Sequence, residues 1–238
     1  DPEVIPTLKY EDFLKYHEEY YHPSNSYIYI YGDMDVNERL EYLDREYLSD
    51  FDVSDVDIHA NIERQAAFDK PVYETKPYAI TEDESLEDNT YLSYNAVIGT
   101  SVDAKLYLAF QILDYALVMT PGAPVKQALL DAGISTDVYS SYETSLYQPV
   151  YSIVAKNSNS KEQDRFVSVI NDTLEKLVKD GINERTIEAG INYYEFKYRE
   201  ADYGPYPKGL MYYLTMMDSW LYDETKPFIH IEAGDKFY

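Results

Sequence analysis

Two histidines and two carboxylates crowd the stretch KYHEEYYHPSNS (Lys15 to Ser26): His17, Glu18, Glu19 and His22. These are the side chains a zinc-activated water needs, imidazoles to hold the metal and a carboxylate to take the proton. A ligand pair on a helix must place both imidazoles on one face. At about 100° per residue, positions four apart differ by about 40°, whereas positions five apart differ by about 140°. His17 and His22 are five apart, and Tyr21 stands where the second imidazole would belong. Neither His-Glu-x-x-His nor its inverse, His-x-x-Glu-His, occurs in the chain. The stretch is not a zinc site.

The histidines have simpler roles to play. His17 falls on the apolar face of a predicted helix and is expected to pack there. His22 is expected beside that helix's last carbonyls, where the negative end of the dipole favours an imidazole. His59 lies in a linker. His230, in FIHIEAGD, would share a strand face with Glu232, but no third ligand accompanies them. The acidic run TEDESLED (Thr81 to Asp88) lacks the glycine and the spacing of a calcium loop and reads as a solvated turn. With no cysteine, a thiolate nucleophile, a thiolate metal site and a disulfide are all excluded. No Gly-x-Ser-x-Gly elbow and no glycine-rich phosphate loop is present. The chain's own chemistry therefore assigns no catalytic and no metal residue, and leaves substrate-binding residues unknown.

Composition narrows the partners. Of 238 residues, 44 are acidic and 20 basic, for a net charge of −24. Such a field repels phosphate backbones and anionic headgroups, so neither nucleic acid nor membrane is an expected partner. Hydrophobic residues make up 45%, enough to bury a substantial core. Tyrosine is abundant at 28 residues, which suits half-buried positions or peptide-contacting walls and equally fits a codon bias. The start Asp1-Pro2-Glu3 carries no basic-then-apolar signal and reads as a cut through a longer polypeptide, with a cytoplasmic location the default expectation.

The elements follow from periodicity. Residues 8 to 21 predict an amphipathic helix with Tyr10, Phe13, Leu14, His17 and Tyr21 on one side, closed by Pro23. SYIYIY (Ser26 to Tyr31) predicts a strand, and Asp35 with Glu38 a capping box for the next helix. A linker spans 51–70, followed by a strand near Tyr73 to Ile80. Beyond it come a strand from Asn89 to Gly99 and a buried helix from Ala104 to Met119. A proline-started segment, Pro121 to Gly133, and a hairpin of TDVYSSYET with QPVYSIVAK follow. A helix capped by Ser160 and Gln163 comes next, then two more at about 184–201 and 208–222. The fold class expected is α+β, an antiparallel sheet with helices packed on one face, preceded by a partial domain. Residues 1–50 form that partial domain and residues 71–238 the fuller one, itself short at its C-terminal end.

Three stretches carry a resemblance. LKYEDFLKYHEEYYHPSNSYIYIYGDMDVNERLEYLDREYL (Leu8 to Leu48) resembles the helix–strand–helix that closes the first domain of pitrilysin/insulinase-type zinc metallopeptidases, most of all the presequence-protease branch. GAPVKQALLDAGI (Gly122 to Ile134) resembles a second-domain segment of that family. KGLMYYLTMMDSWLYDETKPF (Lys208 to Phe228) resembles the branch's helix ending in Ser-Trp-Leu-Tyr-Asp.

The resemblance implies a parent enzyme of homologous α+β domains closing around a chamber, with zinc as its cofactor and peptides as its substrates. Its His-x-x-Glu-His helix would lie upstream of Leu8 and its assisting Arg and Tyr downstream of Tyr238, so no family site residue maps onto this chain. The expected role is a non-catalytic wall of that chamber, holding no zinc itself and partnered by the other domains of the same polypeptide. A zinc-less structural homologue, or a stand-alone acidic protein binding peptides at a sheet edge, are the alternatives.

Overall fold

Alternation along three segments builds the sheet. In β1 (Thr90–Val97), β2 (Asp137–Glu143) and β3 (Val150–Ser158) every second side chain turns inward. The computed structural model describes residues 2–52 and 62–237, and pairs the strands antiparallel in the order β1-β3-β2. Register sets the inner rows: Leu92, Ala155 and Val138 lie side by side, then Tyr94, Ile153 and Ser140, then Ala96, Tyr151 and Tyr142. The opposite face carries Ser93, Asn95, Ser141 and Ser152, with Tyr91, Tyr139 and Val97 exposed.

Helices pack on the inner face. α3 (Ala104–Asp114) begins where the Asp103 carboxylate accepts the Leu106 amide, and continues as a π-helical turn from Tyr115 to Met119. From Leu106 to Val118 no side chain is fully exposed, as the broad apolar face requires. The apolar segment 104–131 has the length and composition of a membrane span, yet it breaks at Thr120, whose backbone is extended. α4 (Pro124–Asp131) then starts on Pro124 and stops at Gly133. There a φ of 65° lets the Gly133 and Ile134 amides satisfy the carbonyls of Leu130 and Leu129. α5 (Gln163–Asp180) inserts Phe166 and Ile170, both buried, among Leu129, Val138, Ile153 and Ala155. Each such side chain contributes roughly 1.5–3 kcal/mol by leaving water. α6 (Glu184–Glu200), α7 (Lys208–Trp220) and α8 (Ile229–Phe237) complete the layer.

The described chain divides into two compact units, Asp1–Glu63 and Arg64–Tyr238. The first contains α1 (Tyr10–Tyr20) and α2 (Val36–Glu46), neither of which buries a residue. Asp35 caps α2 by accepting from the Asn37 and Glu38 amides at 3.0 and 3.1 Å.

Several expectations need correction. Ser26–Tyr31 forms no strand: Tyr29 and Tyr31 do stack on one side, 6.3 Å apart, but no second strand pairs with the segment among the described residues. Residues 73–80 also run without a ladder, tied instead by the Tyr78 hydroxyl, which donates to the Asn89 side-chain oxygen at 2.8 Å. Ser160 does not cap α5; a short 3-10 turn, Ser160–Glu162, intervenes with no side-chain cap. The segment around His230 is a helix and not a strand, so His230 and Glu232 are about 160° apart around its axis. Most of the 51–70 linker's first half, with His59, lies outside the described residues.

Candidate functional site

The histidines singled out by type are scattered. His17 is exposed and stacks on Tyr21 at 4.6 Å. His22 turns away from α1: its Nδ1 accepts the Ser24 amide at 3.2 Å, and its ring meets Phe51 edge-on. The helix end it was expected to serve is served by Asn25, whose side-chain amide donates to the Tyr20 carbonyl at 2.9 Å. The acidic run folds on itself, the Thr81 amide donating to Glu84 and the Asp88 amide to Asn159. Among the described residues no group of three or more histidines and carboxylates could hold a metal ion.

The concentrated chemistry lies where α3, α7, α8 and the β2–β3 turn meet. Asp218 of α7, 9% exposed, accepts hydrogen bonds from the Tyr107 hydroxyl at 3.0 Å and the Thr144 hydroxyl at 2.9 Å. His230 of α8, 6% exposed, stacks on the Tyr107 ring with centroids 3.8 Å apart. The backbone of Ser101, itself fully buried, lies beside the ring. Burial raises the Asp218 carboxyl above the usual range, against the two hydroxyl donors that pull it down. Burial and the Asp218 charge together put the Tyr107 phenol far above its ordinary value, and burial pushes Tyr142 up to about 12. Burial also brings the His230 imidazole down to about 4.

By type, Ser101, His230 and Asp218 could pass for a hydrolase triad. Their geometry does something else. Tyr107 stands between the imidazole and the carboxylate, and among the described residues neither His230 nitrogen nor the Ser101 hydroxyl has a hydrogen-bond partner. A nucleophile with no exposed surface, no base bonded to it and no carboxylate on that base cannot run acyl transfer. All of these groups are neutral or fixed acceptors at pH 7, and what they do is join four elements.

A second buried pair repeats the pattern about two turns further along α3. Asp114, just before the π turn, accepts from the Tyr151 hydroxyl at 2.9 Å, and burial with that carboxylate drives the phenol well above its usual value. The corner after α7 is equally tied. Ser219 donates to the Lys226 carbonyl at 2.8 Å, Tyr222 donates to the Ser145 carbonyl at 2.7 Å while stacking on Tyr147, and Asp223 receives the Thr225 hydroxyl at 2.6 Å. Asp-Ser-Trp-Leu-Tyr-Asp is thus a corner motif that docks α7 on the β2–β3 turn.

This is a scaffold with buried polar clamps, and comparison with known proteins agrees. The profile of the peptidase M16 inactive domain matches residues 7–194. The chain belongs to that family. Protein HypA of Clostridium perfringens is 44% identical over 232 residues, which is 98% of this chain and 24% of HypA. Presequence protease 1, chloroplastic/mitochondrial, of Arabidopsis thaliana is 34% identical over 225 residues, 94% of this chain and 21% of that protein. The M16 chain therefore spans about a quarter or less of the length of these curated relatives. Among solved structures, a protein from Alicyclobacillus acidocaldarius described as M16-like peptidase aligns over 99% of the chain and 54% of its own, with a TM-score of 0.51 at 17% identity. The inactive peptidase domain of a protein from Bordetella parapertussis described as a zinc protease aligns over 62% of this chain and 79% of its own, with a TM-score of 0.50 at 13% identity. At those identities the likeness shows the fold, α+β with an antiparallel sheet.

Sequence reasoning missed the buried clamps of this M16 domain. A signal was present: Asp114 in AFQILDYALVM and Asp218 in LTMMDSWL are lone acids inside apolar runs, and a carboxylate there needs hydroxyl donors from elsewhere in the fold.

Proposed function

We propose that this chain is the non-catalytic, chamber-forming part of a zinc metalloprotease that degrades peptides and oligopeptides, with the metal and the reacting groups supplied by other domains of the same polypeptide. The observation that carries the reading is the 34% identity to a presequence protease over nearly the whole chain, of which it is only about a fifth. On this reading residues 1–50 complete a first peptidase domain, whose sheet supplies the ladder that Ser26–Tyr31 lacks. The tyrosine–isoleucine alternation of that segment and the exposed apolar faces of α1 and α2 support it. The open sheet face with Ser93, Asn95, Ser141 and Ser152 would then be a wall, polar enough to touch peptide backbone without gripping one sequence.

The test is to express the longer polypeptide that contains this chain and to follow cleavage of an unstructured peptide with and without a chelator. Chelator-sensitive cleavage is the expected result. A longer polypeptide that folds, binds no zinc and cleaves nothing would leave a zinc-less structural homologue in its place.

A further inference from the structure

Of the described histidines, His230 is the one held in the interior, and the way it is held differs from a satisfied core histidine. Its ring lies nearly parallel to Tyr107 of α3, inclined by 27°, and neither nitrogen finds a hydrogen-bond partner among the described residues. A neutral imidazole tolerates that environment as a flat aromatic body; an imidazolium there would be a buried, unpaired charge.

The groups that face it offer too little compensation to offset burial. From α3 comes a neutral phenol, and the Ser101 backbone before α3 lies beside the ring, the one contact that favours its protonated form, though outside ordinary hydrogen-bond geometry. The α7 carboxylate, Asp218, lies beyond the Tyr107 hydroxyl and is already engaged by Tyr107 and Thr144. From β2, Tyr142 packs on Tyr107, and Glu143 is occupied by Ser145. α6 contributes Tyr198, which donates to the Ile231 carbonyl of α8, with Asp235 beside it. Within α8, Glu232 pairs with Lys236.

We propose that His230 is an acid-operated latch: taking a proton on its ring releases α8 from α3 and α7 while the sheet and α5 stay folded. Burial lowers the folded ring to about 4, against an ordinary 6.5. Because the folded value is depressed, the stability contributed by the neutral ring is whole above about pH 6.5 and is lost as pH falls from there toward about 4. The Asp218 carboxyl, raised by burial, titrates with the opposite sign, so removing His230 isolates the latch from it.

Hydrogen exchange compared as protection factors at about pH 7 and about pH 4.5 tests this, with α5 as the internal control. In the unmodified chain, α8 amides should lose protection by about tenfold per pH unit below about 6.5, while α5 stays the better protected of the two throughout. His230→Phe keeps a ring against Tyr107 but cannot take a proton, and its α8 should hold through the same range; His230→Gln, also neutral, serves if the phenylalanine variant does not fold. Equal acid release in wild type and variant overturns the proposal, and so do equal protection factors for α8 and α5 at about pH 4.5.

Discussion

Tyr107 faces two ways at once: its ring lies on the His230 imidazole at 3.8 Å, and its hydroxyl donates to the Asp218 carboxylate at 3.0 Å. One side chain of α3 thereby holds both α7 and α8. The stack is an apolar contact and the hydrogen bond a charge-assisted one, so the two can be removed separately.

Tyr107→Phe deletes the hydroxyl and keeps the ring. Asp218 is then left with Thr144 as its remaining side-chain donor. Losing one partner of a buried carboxylate costs about 1–3 kcal/mol, and urea unfolding should show a loss of that size. Combining it with Asp218→Ala should cost less than the sum of the two single changes, because both remove the same bond.

Asp218→Asn, which keeps an acceptor oxygen, reads the carboxyl's titration. Burial raises the folded Asp218 above its unfolded value, so the charged form is disfavoured by folding. As pH falls through that raised value, the wild type should gain stability relative to the asparagine variant, which cannot take up the proton. Parallel pH profiles for the two proteins would contradict this sign.

Gly234 of α8 sits against the Tyr198 ring, and a Cβ there would lie 2.5–2.7 Å from three ring carbons. The ring cannot simply swing away, because its hydroxyl is bonded to the Ile231 carbonyl at 2.7 Å. Gly234→Ala should destabilise by roughly 1–3 kcal/mol despite its better helix propensity, and Tyr198→Ala in the same chain should remove the clash.

On α5, Phe166 is 1% exposed and Val178 is 88% exposed. Phe166→Ala should cost about 3–5 kcal/mol, since its neighbours Leu129, Ile153 and Ile170 cannot all close the cavity. Val178→Ala should change stability by less than about 0.5 kcal/mol. Thermal midpoints of the two variants measure the contrast.

What could be read from the sequence was whatever a local pattern decides. The stripe of Phe166, Val169, Ile170, Thr173 and Leu177, the Asp35 cap, the Gly133 stop and the β2–β3 hairpin each depend on neighbours within a few residues, and each is found. What could not be read depends on distant partners. Ile28 and Ile30 have strand chemistry but no second strand among the described residues. The helix cap expected at Ser160 gives way to a 3-10 turn, and the preceding Asn159 bonds to Asp88, 71 residues away. FIHIEAGD alternates like a strand, but the Ser219–Lys226 and Tyr222–Ser145 bonds turn the chain so that it packs as a helix on α7 and α3. The clamp at Tyr107 joins residues more than a hundred positions apart, and no spacing rule reaches that far.

The central claim is that these residues are scaffold, and metal analysis with a peptide-cleavage assay on the purified chain tests it most directly. The expected result is no stoichiometric zinc after dialysis against the metal and no cleavage of an unstructured peptide. One tightly held zinc per chain, with cleavage that a chelator stops, would contradict it.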